Sequence, residues 1–231
     1  MHSTAPLSVV IPVLDGAALL PSCIAALDEG RRCGLVGEVL VVDGGSHDGT
    51  TEIAVRLGTQ LLSAPRGRGT QLAAGGAAAT GDWLLFLHAD TRLAPSWSAE
   101  VARFVADPAN DERAGYFRLQ LDDAAPAARR LERIVALRSR WLGLPYGDQG
   151  LLLSRRFYQA LGGFRKLPLM EDVDLVRRIG ARRLRALDVP ATSSAARYRR
   201  DGYVVRPLRN LACLGLYYLG VPPRLITKLY A

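Results

Sequence analysis

Two acidic clusters lie far apart in the 231-residue chain, Leu87-His88-Ala89-Asp90-Thr91 and Met170-Glu171-Asp172-Val173-Asp174, and together they suggest a two-carboxylate site. One carboxylate could hold a metal with its anionic ligand while the other removes a proton, the division of labour that group transfer from a nucleotide donor requires. Asp90 is the metal candidate and Asp172 the candidate base. Mg²⁺ or Mn²⁺ takes oxygen ligands and shares them with a diphosphate, so one or two protein carboxylates can suffice. His88 suits such hard ions poorly and reads better as a core or supporting histidine. Glu171 is a substrate-binding candidate, although for Glu171 and Asp174 there is a plainer account, negative charge favoured at a helix N-terminus.

Three further positions could meet a ligand. Asp43 ends an apolar run and would emerge on the crevice side of a parallel sheet, where such folds bind ligands. The turn Gly44-Gly45-Ser46-His47-Asp48-Gly49-Thr50 follows, with Asp48 reading as a helix cap. In Pro65-Arg66-Gly67-Arg68-Gly69, Arg68 is flanked by glycines that allow close backbone approach to a phosphate, and Arg66 fits a solvated loop as well. Asp148, between Gly147 and Gln149-Gly150, marks an acceptor-facing loop or a plain turn.

These residues need elements to hold them. Ser8 to Val13, Glu38 to Asp43 and Trp83 to His88 are nearly continuous apolar runs, as expected for parallel strands covered on both faces. Leu20, Cys23, Ile24 and Leu27 recur at helical spacing, as do Ile53, Ala54 and Leu57, so strands and helices alternate. Gln60 to Ala64 adds a strand, an alanine-rich helix runs to about Ala79, and Trp97, Val101 and Phe104 mark another helix. Beyond Gly115 the pattern changes. Tyr116 to Leu121 alternates like a half-exposed strand, and Leu131, Ile134, Val135, Arg138, Trp141 and Leu142 line a long helix. Gly147 to Leu153, a helix at Arg155 to Leu161 stopped by Gly162-Gly163, a helix at Glu171 to Ile179, and two tail helices between Arg206 and Tyr230 complete the reading. Trp83, Trp97 and Trp141 are expected in the core or in pocket walls.

The formal charge is +8, almost wholly from arginine, since Lys166 and Lys228 are the only lysines. That composition fits bidentate binding of phosphate or carboxylate. Cys23, Cys33 and Cys213 have no metal-ligand spacing and indicate a reducing compartment. No run approaches the roughly 18 to 20 apolar residues that span a bilayer, and no signal peptide is read, so a cytoplasmic location is expected. The apolar, basic tail could lie in a membrane interface, and core packing is its blander explanation.

These motifs in this order resemble family 2 glycosyltransferases of the GT-A fold: Val10-Ile11-Pro12-Val13, Val42-Asp43-Gly44-Gly45-Ser46-His47-Asp48-Gly49-Thr50, His88-Ala89-Asp90 and Met170-Glu171-Asp172. With Gly147-Asp148-Gln149-Gly150 added, the set is similar to a bacterial subset labelled radical-SAM or selenodomain-associated, or arsenosugar-biosynthesis, glycosyltransferases. The resemblance implies a Rossmann-like three-layer α/β/α sandwich with a mostly parallel sheet. It implies one domain over residues 1–231, with a nucleotide-binding half to about 115 and an acceptor-binding half beyond. Pro12, Asp15, Asp43 and Arg68 would line the nucleotide pocket, Asp90 would be the metal-binding member of a DXD-like motif, and Asp172 the base. His88 replaces the first aspartate of a full DXD, Asp15 stands where Glu or Asn is frequent, and Ser193 to Tyr198 lacks the additional histidine ligand of some relatives.

The expected reaction is metal-assisted, inverting transfer of a sugar from a nucleoside diphosphate sugar to the hydroxyl of a small-molecule or lipid acceptor. A lipid acceptor would bring the protein to the inner face of the membrane. A sugar-phosphate nucleotidyltransferase is the rival enzyme, but its N-terminal glycine-rich basic loop is missing. A basic nucleotide- or nucleic-acid-binding module is the non-catalytic rival, and no nucleic-acid partner is expected.

Overall fold

Branched apolar residues in unbroken runs favour strands sandwiched between helices. In the computed structural model, which describes residues 7–230, these runs form the centre of one eight-stranded sheet. The first half alternates as read: β1 (Leu7–Val13), α1 (Leu20–Ala26), α2 (Asp28–Arg32), β2 (Val36–Asp43), α3 (Thr50–Arg56), β3 (Gln60–Ser63), α4 (Arg68–Ala78) and β4 (Trp83–Phe86). The second half contains β5 (Thr91–Leu93), α5 (Trp97–Ala106), β6 (Ala114–Leu121), α6 (Pro126–Leu142), β7 (Leu151–Ser154), α7 (Arg155–Ala160) and α8 (Glu171–Ile179). It ends with β8 (Leu184–Ser193), α9 (Ala196–Asp201), α10 (Val205–Tyr218) and α11 (Pro223–Tyr230).

The strand order is β3-β2-β1-β4-β7-β6-β8-β5. The first four run parallel, β7 is antiparallel to both β4 and β6, β6 and β8 are parallel, and β5 is antiparallel to β8. Successive strand side chains point to opposite faces. Accordingly Val9, Ile11, Val39, Val41 and Leu85 pack with residues of α1 and α5 on one side of the sheet. Val10, Leu40, Val42, Leu84 and Phe86 pack with residues of α4, α8, α10 and α11 on the other. Two cores around one sheet make the three-layer α/β/α arrangement.

Several local expectations change. β6 is largely buried rather than half exposed, because Tyr116, Phe117 and Leu119 each enter a different apolar cluster. α6 covers only a small cluster of Leu119, Leu121, Ala128, Leu131, Val135 and Ala195, so Ile134, Leu142 and Trp141 point outward, Trp141 being 75% exposed. Trp83 and Trp97 are buried as expected. Asp48 does not occupy the N-cap of α3, which is the left-handed Gly49, but accepts from the Thr50 amide at 3.1 Å. No helix among the described residues is long and apolar enough to cross a membrane.

Candidate active site

The parallel strands β1, β2 and β4 deliver three loops to one sheet edge. At the end of β2, the buried Asp43 carboxylate accepts from the Gly45 and Ser46 amides and the Ser46 hydroxyl, fixing the turn. Asp15 follows β1 in a left-handed conformation (φ 49°) and its Oδ1 accepts from the His47 amide at 2.9 Å. Ser46 Oγ accepts from the Asp15 amide in return, at 2.9 Å. Buried Gln71 of α4 donates to the Val13 and Val42 carbonyls at 2.7 and 2.8 Å, tying the strand ends to the helix.

Arg68 opens α4, whose next residue must be small. A Cβ on Gly69 would lie 2.5 Å from the Leu167 carbonyl oxygen, so the helix start sits directly on the segment leading to α8. This approach lets Arg68 Nε reach Glu171 Oε1 at 2.6 Å. Met170, a non-glycine residue at φ 65°, caps α8 and sets the departure of Glu171 and Asp172 from the chain. Glu171 is 1% exposed, and burial raises its pKa while Arg68 opposes the rise. Burial works against the Arg68 charge, but Glu171 and Asp172 outweigh it and raise the guanidinium's pKa. Arg68 Nη1 lies 3.3 Å from His88 Nε2. A guanidinium can only donate, so Nε2 is the unprotonated nitrogen of a neutral imidazole. Burial, with Arg68 and Arg197 nearby, pushes the His88 pKa well down, in agreement.

A cavity of about 260 Å³ opens beside this pair. Arg68, His88, Asp90, Asp148 and Asp172 all line it. Asp172 accepts from the Gly147 amide through Oδ2 and from the Val173 amide through Oδ1, both at 2.8 Å. Gly147 is squeezed between the two clusters: a Cβ there would be 2.6 Å from His88 Nε2 and 3.4 Å from Asp172 Oδ2. Asp90 and Asp148 each keep a buried Oδ1 with no hydrogen-bond partner. Burial raises the Asp90 pKa against the pull of Arg197 and Arg68. Burial likewise lifts Asp148 to about 6, opposed by Arg138 and reinforced by Asp172 and Asp90. Asp174, by contrast, is held by Arg165 at 3.0 Å and Arg178 at 2.6 Å and anchors α8.

The structure thus brings together Arg68, Asp90, Asp148 and Asp172, with Glu171 behind Arg68. Pro12, Asp15 and Asp43 lie outside the cavity lining, at the β1–β2 edge, where a Cβ on the neighbouring Gly16 would lie 3.9 Å from the Ala89 side chain. Residues not singled out in the sequence also line the cavity: Tyr146, Arg197, Tyr198, Arg206, Asn210 and Tyr230. Arg197 arrives because β5 and β8 pair Thr91 with Ser193, which sets the start of α9 beside Asp90. Ser193 Oγ lies 3.0 Å from Thr91 Oγ1 and 3.1 Å from the Asp148 carbonyl oxygen, joining three distant segments. A tyrosine or arginine in a short helix carries no local sign of such a role.

Comparison with known proteins places this geometry. A "PGL/p-HBAD biosynthesis glycosyltransferase" of Mycobacterium bovis is 38% identical over 108 residues, covering 43% of this chain and 41% of that relative. The match therefore spans about two fifths of the curated relative's length. Among solved structures, glucosyl-3-phosphoglycerate synthase from Mycobacterium tuberculosis, in complex with Mn²⁺, UDP and glucosyl-3-phosphoglycerate, superposes with a TM-score of 0.63 at 19% identity, covering 94% of this chain and 81% of that one. A mannosyltransferase from Pyrobaculum calidifontis, in complex with GDP-Man and Mn²⁺, gives a TM-score of 0.63 at 22% identity, covering 92% of this chain and 62% of that one. The fold is therefore of the GT-A kind. Residues 8–137, more than half of the sequence, match the model of Glycosyl transferase family 2, and the chain belongs to that family.

Proposed function

We propose that this protein transfers a sugar from a nucleoside diphosphate sugar to an acceptor hydroxyl, with inversion at the anomeric carbon. The observation that carries the reading is the shared cavity, in which Asp172 and Asp90 face one space together with Arg68, Arg197 and Arg206. Asp172 takes the acceptor proton: both its oxygens accept one amide hydrogen bond, and a carboxylate has further lone pairs for an incoming hydroxyl. Arg68 and Arg197 offset the negative charge that develops on the leaving diphosphate.

A divalent metal, Mn²⁺ or Mg²⁺, fits Asp90, whose buried Oδ1 has no partner. Among the described residues no group of three or more His, Cys, Asp or Glu gathers around one point, so a diphosphate would have to complete the ligand set. His88 contributes no lone pair from Nε2, which already accepts from Arg68. When bound, such a cation would act as a Lewis acid on the diphosphate oxygens. The two neighbours solved with Mn²⁺ and a nucleotide or nucleotide sugar support this assignment.

Pro12, Asp15 and Asp43 are assigned to the nucleoside, Glu171 to holding Arg68 for the donor, and Asp148 to the acceptor. One domain follows, with a nucleotide half to about residue 115 and an acceptor half beyond it. Membership of the radical-SAM-associated subset is supported by the two motifs that frame the cavity, Gly147 to Gly150 and Met170 to Asp172. The decisive experiment is Asp172→Asn assayed against UDP- and GDP-sugars with Mn²⁺. Turnover should fall on the order of 10²- to 10⁴-fold with donor affinity retained. Near-normal turnover would reject the base assignment, and pyrophosphate release from a nucleoside triphosphate and a sugar phosphate would favour nucleotidyl transfer instead.

A further inference from the structure

Three helices around the cavity present apolar surface that sugar transfer does not use. On α6, Ile134, Leu137 and Trp141 share the outer face, each more than half exposed. On α10 the outer face carries Leu208 and Leu211, both about 60% exposed, with Val204 one turn before and Leu219 at the end. α11 adds Leu225 and Leu229. Single exposed apolar residues are ordinary; stripes at helical spacing on three helices are not. The charges beside them share one sign. α6 carries five arginines and a single acid, Glu132, which Arg129 holds at 2.7 Å. From Val204 to Tyr230 there is no acid, against Arg206, Arg209, Arg224 and Lys228. The helices border the same cavity. Arg206, Asn210 and Tyr230 line it, and Arg138 of α6 packs 3.5 Å from the ring centre of Tyr146, another lining residue.

We propose that α6, α10 and α11 form a docking face for an anionic lipid bilayer. The apolar stripes enter the boundary between headgroups and acyl chains, and the exposed Arg130, Arg133, Arg140, Arg224 and Lys228 meet lipid phosphates. Charge selects this occupant over a second copy of the chain, because a two-fold contact through these helices would set cation against cation. The inference is independent of the transfer reaction, and its test reads no activity.

The full chain is mixed with phosphatidylcholine vesicles, with or without phosphatidylglycerol, and separated by flotation. Binding should require the anionic lipid and weaken with salt. Trp141 is exposed whereas Trp83 and Trp97 are buried, so its emission should move to the blue when vesicles bind. Ile134→Glu with Leu137→Glu, or Leu208→Glu with Leu211→Glu, should each weaken binding on the order of tenfold or more without lowering Tm. Absence of flotation, unchanged binding by both double variants, or an unmoved Trp141 emission would overturn the proposal. So would a concentration-dependent dimer, seen by light scattering, that these substitutions dissociate in a chain that ignores vesicles.

Discussion

Arg68 and Arg197 both offer positive charge to the cavity, but they are held in different ways and should fail differently. Arg68 is tied to Glu171 at 2.6 Å and to His88 at 3.3 Å, and Glu171 is almost wholly buried. Removing one partner of a buried pair leaves an uncompensated charge. Glu171 can relieve part of that by taking up a proton, since burial already raises its pKa. Arg68→Ala is therefore expected to cost about 2 kcal/mol, a Tm loss of about 4–8 °C, together with its loss of turnover. Arg197 is an exposed residue of α9 that no salt bridge engages among the described residues. Arg197→Ala should leave Tm within about 1 °C while kcat falls on the order of tenfold or more. Thermal unfolding beside steady-state kinetics separates the two, and an equal Tm loss in both variants would show Arg197 to be a structural residue.

At the scale of elements, the site depends on how closely α4 sits on the segment before α8. With backbone atoms of Arg165 and Leu167 2.5 to 2.8 Å from where a Gly69 side chain would begin, even a methyl group must push the helix away. Gly69→Ala should cost about 2 kcal/mol by overpacking and loosen the Arg68–Glu171 pair, weakening nucleotide sugar binding in calorimetry. Unchanged binding would mean that Arg68 does not serve the donor. The pattern of the first half was legible because β1 and β2 are covered on both faces, Val9, Ile11, Val39 and Val41 on one and Val10, Leu40 and Val42 on the other, and so need no polar alternation. β8 was not, because Leu184–Ser193 contains Asp188 and Pro190 and its buried positions include the small Ala191 and Ser193. α6 is legible as a helix, but its inward face is not. Apolar spacing shows that a stripe exists, not what covers it, and here Ser139, bonded to Gln149 Oε1 at 2.9 Å, is buried while Trp141 is not. Asp90 and Asp172 could be chosen from sequence because each ends or begins a readable element. Arg197 could not, because only the β5–β8 pairing brings it there.

For the molecule as a whole, gathering Asp90, Asp148 and Asp172 around one cavity, with buried Glu171 behind Arg68, costs stability that should depend on pH. Asp148 has its pKa lifted from the ordinary 3.8 to about 6. The folded chain therefore binds this proton more tightly than the unfolded chain does. Protonation favours the fold, a contribution fully present below about pH 4 and lost as pH rises through about 6. Burial moves Glu171 in the same direction. Glu29, Asp123 and Asp201 have lowered pKa values through hydrogen bonds and arginine neighbours, so their stabilisation is lost as pH falls. A single pH–Tm curve mixes both signs, and the informative quantity is the difference between variants. In metal-free protein, Asp148→Asn should raise Tm by about 3–8 °C at pH 8, with the gain shrinking towards zero near pH 4. A gain independent of pH would assign the effect to packing rather than charge. A divalent cation added with a nucleoside diphosphate should narrow the difference at pH 8, because a positive charge near Asp90 supplies to both carboxylates the compensation that burial withholds. If the gap stays as wide with both present, the unpartnered oxygens of Asp90 and Asp148 do not face the ligand's metal, and the metal assignment at Asp90 fails with it.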